Sequence, residues 1–135
     1  MLLAPLAAVI LPFLLWPVEL VLPYPYFVEE IAKTALILLI LKDIESNIQG
    51  IKVALILGAL FAISESVLYI FNMLAVGTLG IFLLRFAVTI PLHSFTIAII
   101  FIFAWSKKVV PTIFGLTIAM VLHYLFNFLI PFLRV

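Results

Sequence analysis

Residues of the types that do acid–base or metal chemistry stand inside stretches that are otherwise apolar: Glu29, Glu30, Glu65, His93, His123 and Asn127. Charge at the centre of a membrane helix costs about 2.5–3.5 kcal/mol per residue, so Glu29, Glu30, Lys33 and Glu65 together oppose roughly 10 kcal/mol of insertion unless they are paired. Glu29 and Lys33 are spaced i, i+4 on one helical face, which predicts an ion pair, whereas Glu30 is turned about 100° away and is left free to act. In "FAISESVLYIF" Glu65 lies well inside apolar sequence, with Phe61 one turn before it on the same face. No interfacial position accounts for it. Ser64 and Ser66 beside it read as packing residues that bond back to the helix backbone. The two histidines of the chain follow, His93 in "TIPLHSFTIAI" and His123 in "HYLFNFL", the latter one turn before Asn127 on the same face.

Taken singly, each residue has an ordinary explanation. The N-terminal dipole of a helix favours acids such as Glu29 and Glu30, a protonated glutamic acid can hydrogen-bond between helices, and a lone membrane histidine is more often a satisfied donor than a ligand. Those explanations do not jointly cover two histidines, an acid and an acid pair on four different segments. Together the residues have what is needed to activate water: carboxylate as base, imidazole as proton donor or metal ligand, and Asn127 or a second imidazole for an oxyanion. Glu65, His93 and His123 also supply three ligands of the kind a catalytic zinc uses. A glutamate-activated water without metal is the alternative. Ser94 adjoins His93 and so points to another helix face, and no GxSxG-like turn exists, which speaks against a serine nucleophile. Arg85 and Glu19 fall closer to segment ends, where snorkelling explains them.

The elements that must position these groups follow from composition. The 135 residues are 68% hydrophobic and 10% charged, with a mean hydropathy of +1.48, against about 25% charged residues in soluble domains. This predicts an all-α, polytopic membrane helix bundle forming a single domain over residues 1–135. A net charge of +1 leaves no footprint for nucleic acid, and the absence of cysteine excludes disulfides, thiolate catalysis and Cys-ligated metal. Spans of about 20 apolar residues are needed, and the punctuation predicts five: Leu2–Leu22, Pro25–Leu41, Ile51–Met73, Leu79–Trp105 and Val109–Leu133. The first has no basic leader or small-residue cleavage site and reads as a span, not a signal peptide. Its prolines Pro5, Pro12 and Pro17 predict kinks, or a broken, partly inserted helix. The joints "PYPY", "KDIESNIQGIK", "AVGTLG" and "SKK" are short, so consecutive helices are expected to be antiparallel neighbours. Lys42, Lys52, Lys107 and Lys108 cluster at the second and fourth joints. The positive-inside rule therefore predicts those joints and the N-terminus in the cytoplasm, the C-terminus outside, and the cell membrane as the location.

Counting 1.5 Å of rise per residue from the opposite joints puts Glu30 about 8–10 Å deep, His123 about 12 Å, Glu65 about 13 Å and His93 about 20 Å. Convergence is expected in the outer part of a core about 30 Å thick. "EEIAK" fits an EExxK motif, "FAISE" fits FxxxE, and His93 and "HYLFN" supply later histidine motifs in order. Over Glu29 to Asn127 the chain resembles the PrsW-like branch of the intramembrane proteases that also include the CAAX prenyl endopeptidases. The last motif is the HxxxN of the CAAX branch in place of the HxxxD expected of PrsW-like members. The resemblance implies that Glu29 and Glu30 activate water, that Glu65, His93 and His123 complete the site, that Asn127 supports the tetrahedral intermediate, and that Lys33 holds the acid pair.

The expected function is an intramembrane endopeptidase that cleaves a membrane protein or peptide in or near its membrane segment, with the site toward the extracytoplasmic side. A noncatalytic membrane scaffold or chaperone, or a proton- or cation-coupled carrier, would use similar buried polar groups. A docking surface, however, needs small and hydrogen-bonding residues, not ionisable ones at matched depth.

Overall fold

Long apolar runs in lipid have to satisfy their backbone within the segment, and a helix does this without a partner. The structure, a computed structural model, describes residues 3–22, 24–76 and 79–130. They form five helices: α1 (Leu3–Val21), α2 (Pro25–Ile40), α3 (Asn47–Val76), α4 (Leu79–Ala104) and α5 (Val109–Leu129), with one 3-10 turn, Leu41–Asp43, after α2. No strand occurs among the described residues. Leu2 and residues 131–133, which the sequence assigns to the first and fifth spans, lie outside the described residues.

Among the described residues four helices are long and apolar enough to cross a bilayer, and the protein is an integral membrane protein. The fifth, α2, is shorter than expected of a full span. Its 16 residues rise about 24 Å against a hydrocarbon core of about 30 Å. In contrast, α3 has 30 residues and α4 has 26, about 45 and 39 Å of rise. α3 starts before the expected Ile51 because "SNIQ" carries the capping-box pattern: Ser46 Oγ accepts the Gln49 N–H at 3.2 Å, while Gln49 Oε1 reaches one residue past the N-cap and accepts the Glu45 N–H at 2.9 Å.

α3 and α4 form the central pair, with α1 against α3 and α5 against α4. Burial follows that order, at 39% and 44% of the apolar windows of α3 and α4 but 17% of those of α1 and α5. The outer helices therefore turn most of their apolar surface to lipid. At the lysine-bearing end the core is apolar, with Leu36, Ile37, Leu57, Ile97, Ile100 and Phe101 buried together.

Two features set the α3 seams. Small residues recur every fourth position at Gly50, Ala54, Gly58 and Ala62, all buried, which lets a neighbouring backbone approach closely. At Gly58 an added Cβ would collide with the His93 carbonyl and the Ser94 backbone of α4. On the α1 side, Ser64 Oγ donates to the Val9 carbonyl. Ser64 was expected to bond within its own helix and instead ties two helices together, whereas Ser66 does bond back, to Ala62 O at 2.7 Å. Despite Pro12 and Pro17, α1 is one continuous helix.

Candidate active site

Cβ atoms tilt toward the N-terminus of their helix, so side chains on antiparallel α3 and α4 lean along the axis in opposite senses. Glu65 leans toward Phe61 and His93 leans toward Thr89, which closes the gap in depth between them. Glu65 Oε2 lies 2.8 Å from His93 Nε2, although the contact lacks hydrogen-bond alignment. The short α2 brings its acids to the same level from the other side. His93 Nδ1 lies 3.7 Å from Glu29 Oε2 and 2.6 Å from Lys33 Nζ. Across α2 and α5, His123 Nδ1 and Glu30 Oε1 are 2.8 Å apart. All the expected polar side chains except Asn127 thus meet in one cluster fed by four helices.

The pairing within α2 differs from the expectation. Lys33 Nζ is 2.6 Å from Glu30 Oε1 and 3.4 Å from Glu29 Oε2, so the i, i+3 partner is the closer one. Glu30, expected to be free, is held by both Lys33 and His123 and is fully buried. The reason is that an ammonium has three donors on a flexible stem and can bridge neighbouring acids instead of choosing the one on its own face. Phe61 supports the cluster as expected: its ring stacks on His93 at 5.2 Å between centroids and carries Lys33 Nζ 4.5 Å from its centre. The His93 and His123 rings meet edge to face at 5.1 Å.

Glu29, His93 and His123, all buried, each offer a ligand atom within 4.8 Å of the other two. The sequence points to Glu65 in that role, but among the described residues the compact trio contains Glu29 in its place. The donor types of the trio suit a divalent cation, and binding one requires His93 to give up one of its present contacts, Nδ1 with Lys33 Nζ at 2.6 Å or Nε2 with Glu65 Oε2 at 2.8 Å. Glu29 Oε2, within the trio, and Glu30 Oε2 and Glu65 Oε2 beside it are buried without a hydrogen-bond partner, a state that is costly for a carboxylate. Moreover, three carboxylates (Glu29, Glu30, Glu65) gather here, and Lys33 is in ion-pair contact with only two of them, Glu29 and Glu30.

A cavity of about 310 Å³ opens onto the cluster, lined by Glu29, Glu65, His123 and Asn127, by Pro25 at the start of α2, and by Tyr69 and Arg85. Asn127 therefore stands on the cavity wall, while Glu30 and His93 are not among its lining residues. The side chain of Glu65 keeps 14% exposure. Tyr69 is not among the site residues expected from sequence, although it follows Glu65 by four residues on the same face, and Arg85, expected to snorkel, lines the cavity as well. Glu19 borders a separate, narrow gap with Glu29 and Glu65.

A family model described as PrsW family intramembrane metalloprotease matches residues 19–135. The wider assignment to the CAAX endopeptidases, a different family, is not supported by that match. No curated protein and no solved structure matches the chain. The match spans all the residues of the cluster, and the chain belongs to the PrsW family of intramembrane metalloproteases.

Proposed function

We propose that the protein hydrolyses peptide bonds in or beside the membrane segments of substrate proteins, with Glu29, His93 and His123 holding a zinc ion and Glu65 acting as the base. The observation that carries this reading is the buried trio beside a cavity into which a further carboxylate projects. Two imidazoles and one carboxylate are a ligand set that catalytic zinc sites use. When bound, the ion supplies Lewis-acid polarisation of the scissile carbonyl and lowers the pKa of water. Glu65 takes the proton of the attacking water, which it can reach because it lines the cavity. Asn127 donates its amide N–H to the oxyanion of the tetrahedral intermediate. Glu30 orients His123 through Nδ1, leaving the other ring nitrogen as the ligand.

The lysine-bearing joints support a cytoplasmic location for the far end of α2. Glu29 and Glu30 lie within two turns of the other end, so substrate and water enter from the extracytoplasmic side.

Purified protein incubated with membrane-segment peptides tests the reading by mass spectrometry of the products. Wild type should cleave, and Glu65→Gln should lose on the order of 10²–10⁴-fold in rate, the usual worth of a general base. Elemental analysis should find zinc at one ion per chain, lost in His93→Ala and His123→Ala. Full hydrolysis by Glu65→Gln would remove Glu65 as the base. Hydrolysis that survives stripping of all metal would return the site to glutamate-activated water with Lys33 as its cation.

A further inference from the structure

None of the hydrolytic steps proposed above uses Arg85, yet it lines the same cavity as Glu29, Glu65, His123 and Asn127. It lies two helical turns before His93 on α4, half-buried, with its guanidinium carbon 5.3 Å from the centre of the Tyr69 ring on α3. Among the described residues no carboxylate is within ion-pairing distance of it. Glu19 borders the narrow gap with Glu29 and Glu65, which Arg85 does not line. A snorkelling arginine sends its charge to the water interface, whereas this one borders the cavity that holds the acids. A guanidinium stays charged under all conditions and presents a planar fork of donors matched to a carboxylate. Placed over an aromatic ring, it keeps the edge of that fork available.

We infer that Arg85 and Tyr69 form a substrate subsite that takes a carboxylate, the side chain of an aspartate or glutamate a few residues from the scissile bond. Sharing one cavity with Glu65 and His123 sets that spacing, because an extended chain advances only about 3.3–3.6 Å per residue. The carboxylate supplies a direct ion-pair partner, which Glu65, although it lines the same cavity, does not come close enough to be. In its absence a peptide must leave a half-buried charge unpaired, which gives the site selectivity for acidic substrates. The inference rests on the protease reading for the word substrate, but the subsite itself is a matter of binding.

The test uses the full chain in detergent and one apolar membrane-segment peptide in which Glu, Gln or Lys is scanned through successive positions. Binding is read from the initial change in fluorescence anisotropy, and cleavage from the products. Wild type should bind and cleave at least one Glu peptide about tenfold better than the matching Lys peptide, the lower end of what pairing a desolvated charge is worth. Arg85→Gln should erase that ranking, Arg85→Lys should keep it in weaker form, and Arg85→Glu should reverse it. Recovery of the Lys peptide by Arg85→Glu proves that variant folded. Equal handling of Glu and Lys peptides by wild type overturns the subsite without any appeal to a variant, as does a ranking that survives unchanged in Arg85→Gln. If wild type ranks the peptides in binding but cleaves none, the hydrolytic reading fails and the subsite stands. Cleavage with no preference for charge has the opposite meaning.

Discussion

A lysine with no solvent exposure contacts Glu30 and His93 at 2.6 Å and Glu29 at 3.4 Å. Burying a charge without a partner is prohibitive, and here each partner is itself buried, so the four side chains stand or fall together. Removing one member of a buried pair costs about 3–5 kcal/mol, because the remaining charge is left uncompensated. Lys33→Ala should therefore lose about that much stability in reversible unfolding from mixed micelles. Adding Glu30→Gln to it should restore a large part, since the amide carries no charge to strand. A double variant no more stable than Lys33→Ala alone would mean that the pair is not coupled. The same contacts explain what could be read from residue types and what could not. That Glu29, Glu30, Lys33, Glu65, His93 and His123 belong to one site is legible from their cost in lipid and their order along four segments. Which acid holds Lys33 is not, because helical faces fix Cβ directions and leave the reach of a long flexible stem undetermined.

At the scale of elements, the position of His93 depends on the smallest residue of α3. Gly58 faces the His93 and Ser94 backbone directly, and it lies on one stripe with Gly50, Ala54 and Ala62. That stripe was visible in the sequence at intervals of four and marks the α3–α4 seam. The capping box at Ser46 and Gln49 was equally visible and would have placed the start of α3 correctly. By backbone rise alone, by contrast, His93 lies well below Glu65. The opposite lean of side chains on antiparallel helices closes that difference and brings Glu65 and His93 to 2.8 Å. Gly58→Ala should cost about 1–3 kcal/mol through overpacking. It should also depress hydrolysis beyond what that loss explains, by spreading α3 from α4 and drawing His93 away from Glu65. Gly115→Ala is the control, since its new Cβ would meet Phe103 Cβ at 2.7 Å on the α4–α5 seam, remote from the cavity. Both variants should be less stable, with a disproportionate fall in rate only for Gly58→Ala. Equal rate losses at equal stability would deny Gly58 a part in positioning the site.

For the whole molecule, the short α2 and the long α3 and α4 have to be reconciled with one bilayer. Glu30 lies five residues into α2, about 8 Å of rise, while Glu65 lies eleven residues before the end of α3, about 17 Å. Because both belong to one cluster, α3 extends roughly 9 Å farther beyond the site than α2 does. The start of α2 at Pro25 is then a step in the bundle, and the cavity lined by Pro25, Glu29 and Arg85 opens at that step. A polar cavity there admits water without crossing the apolar core that fills the lysine-bearing end. This predicts a sidedness that the cysteine-free chain makes simple to measure. Single cysteines at Ser46, beside the lysine joint before α3, and at Thr78, between α3 and α4, are exposed to a membrane-impermeant thiol reagent on intact cells. Thr78→Cys should label and Ser46→Cys should label only after the cells are opened. A third cysteine at Pro25 should label from outside as well, and slowly because it lines the cavity. The reverse pattern, with Ser46→Cys labelled from outside and Thr78→Cys protected, would turn the bundle over and place the entrance to the site on the cytoplasmic face.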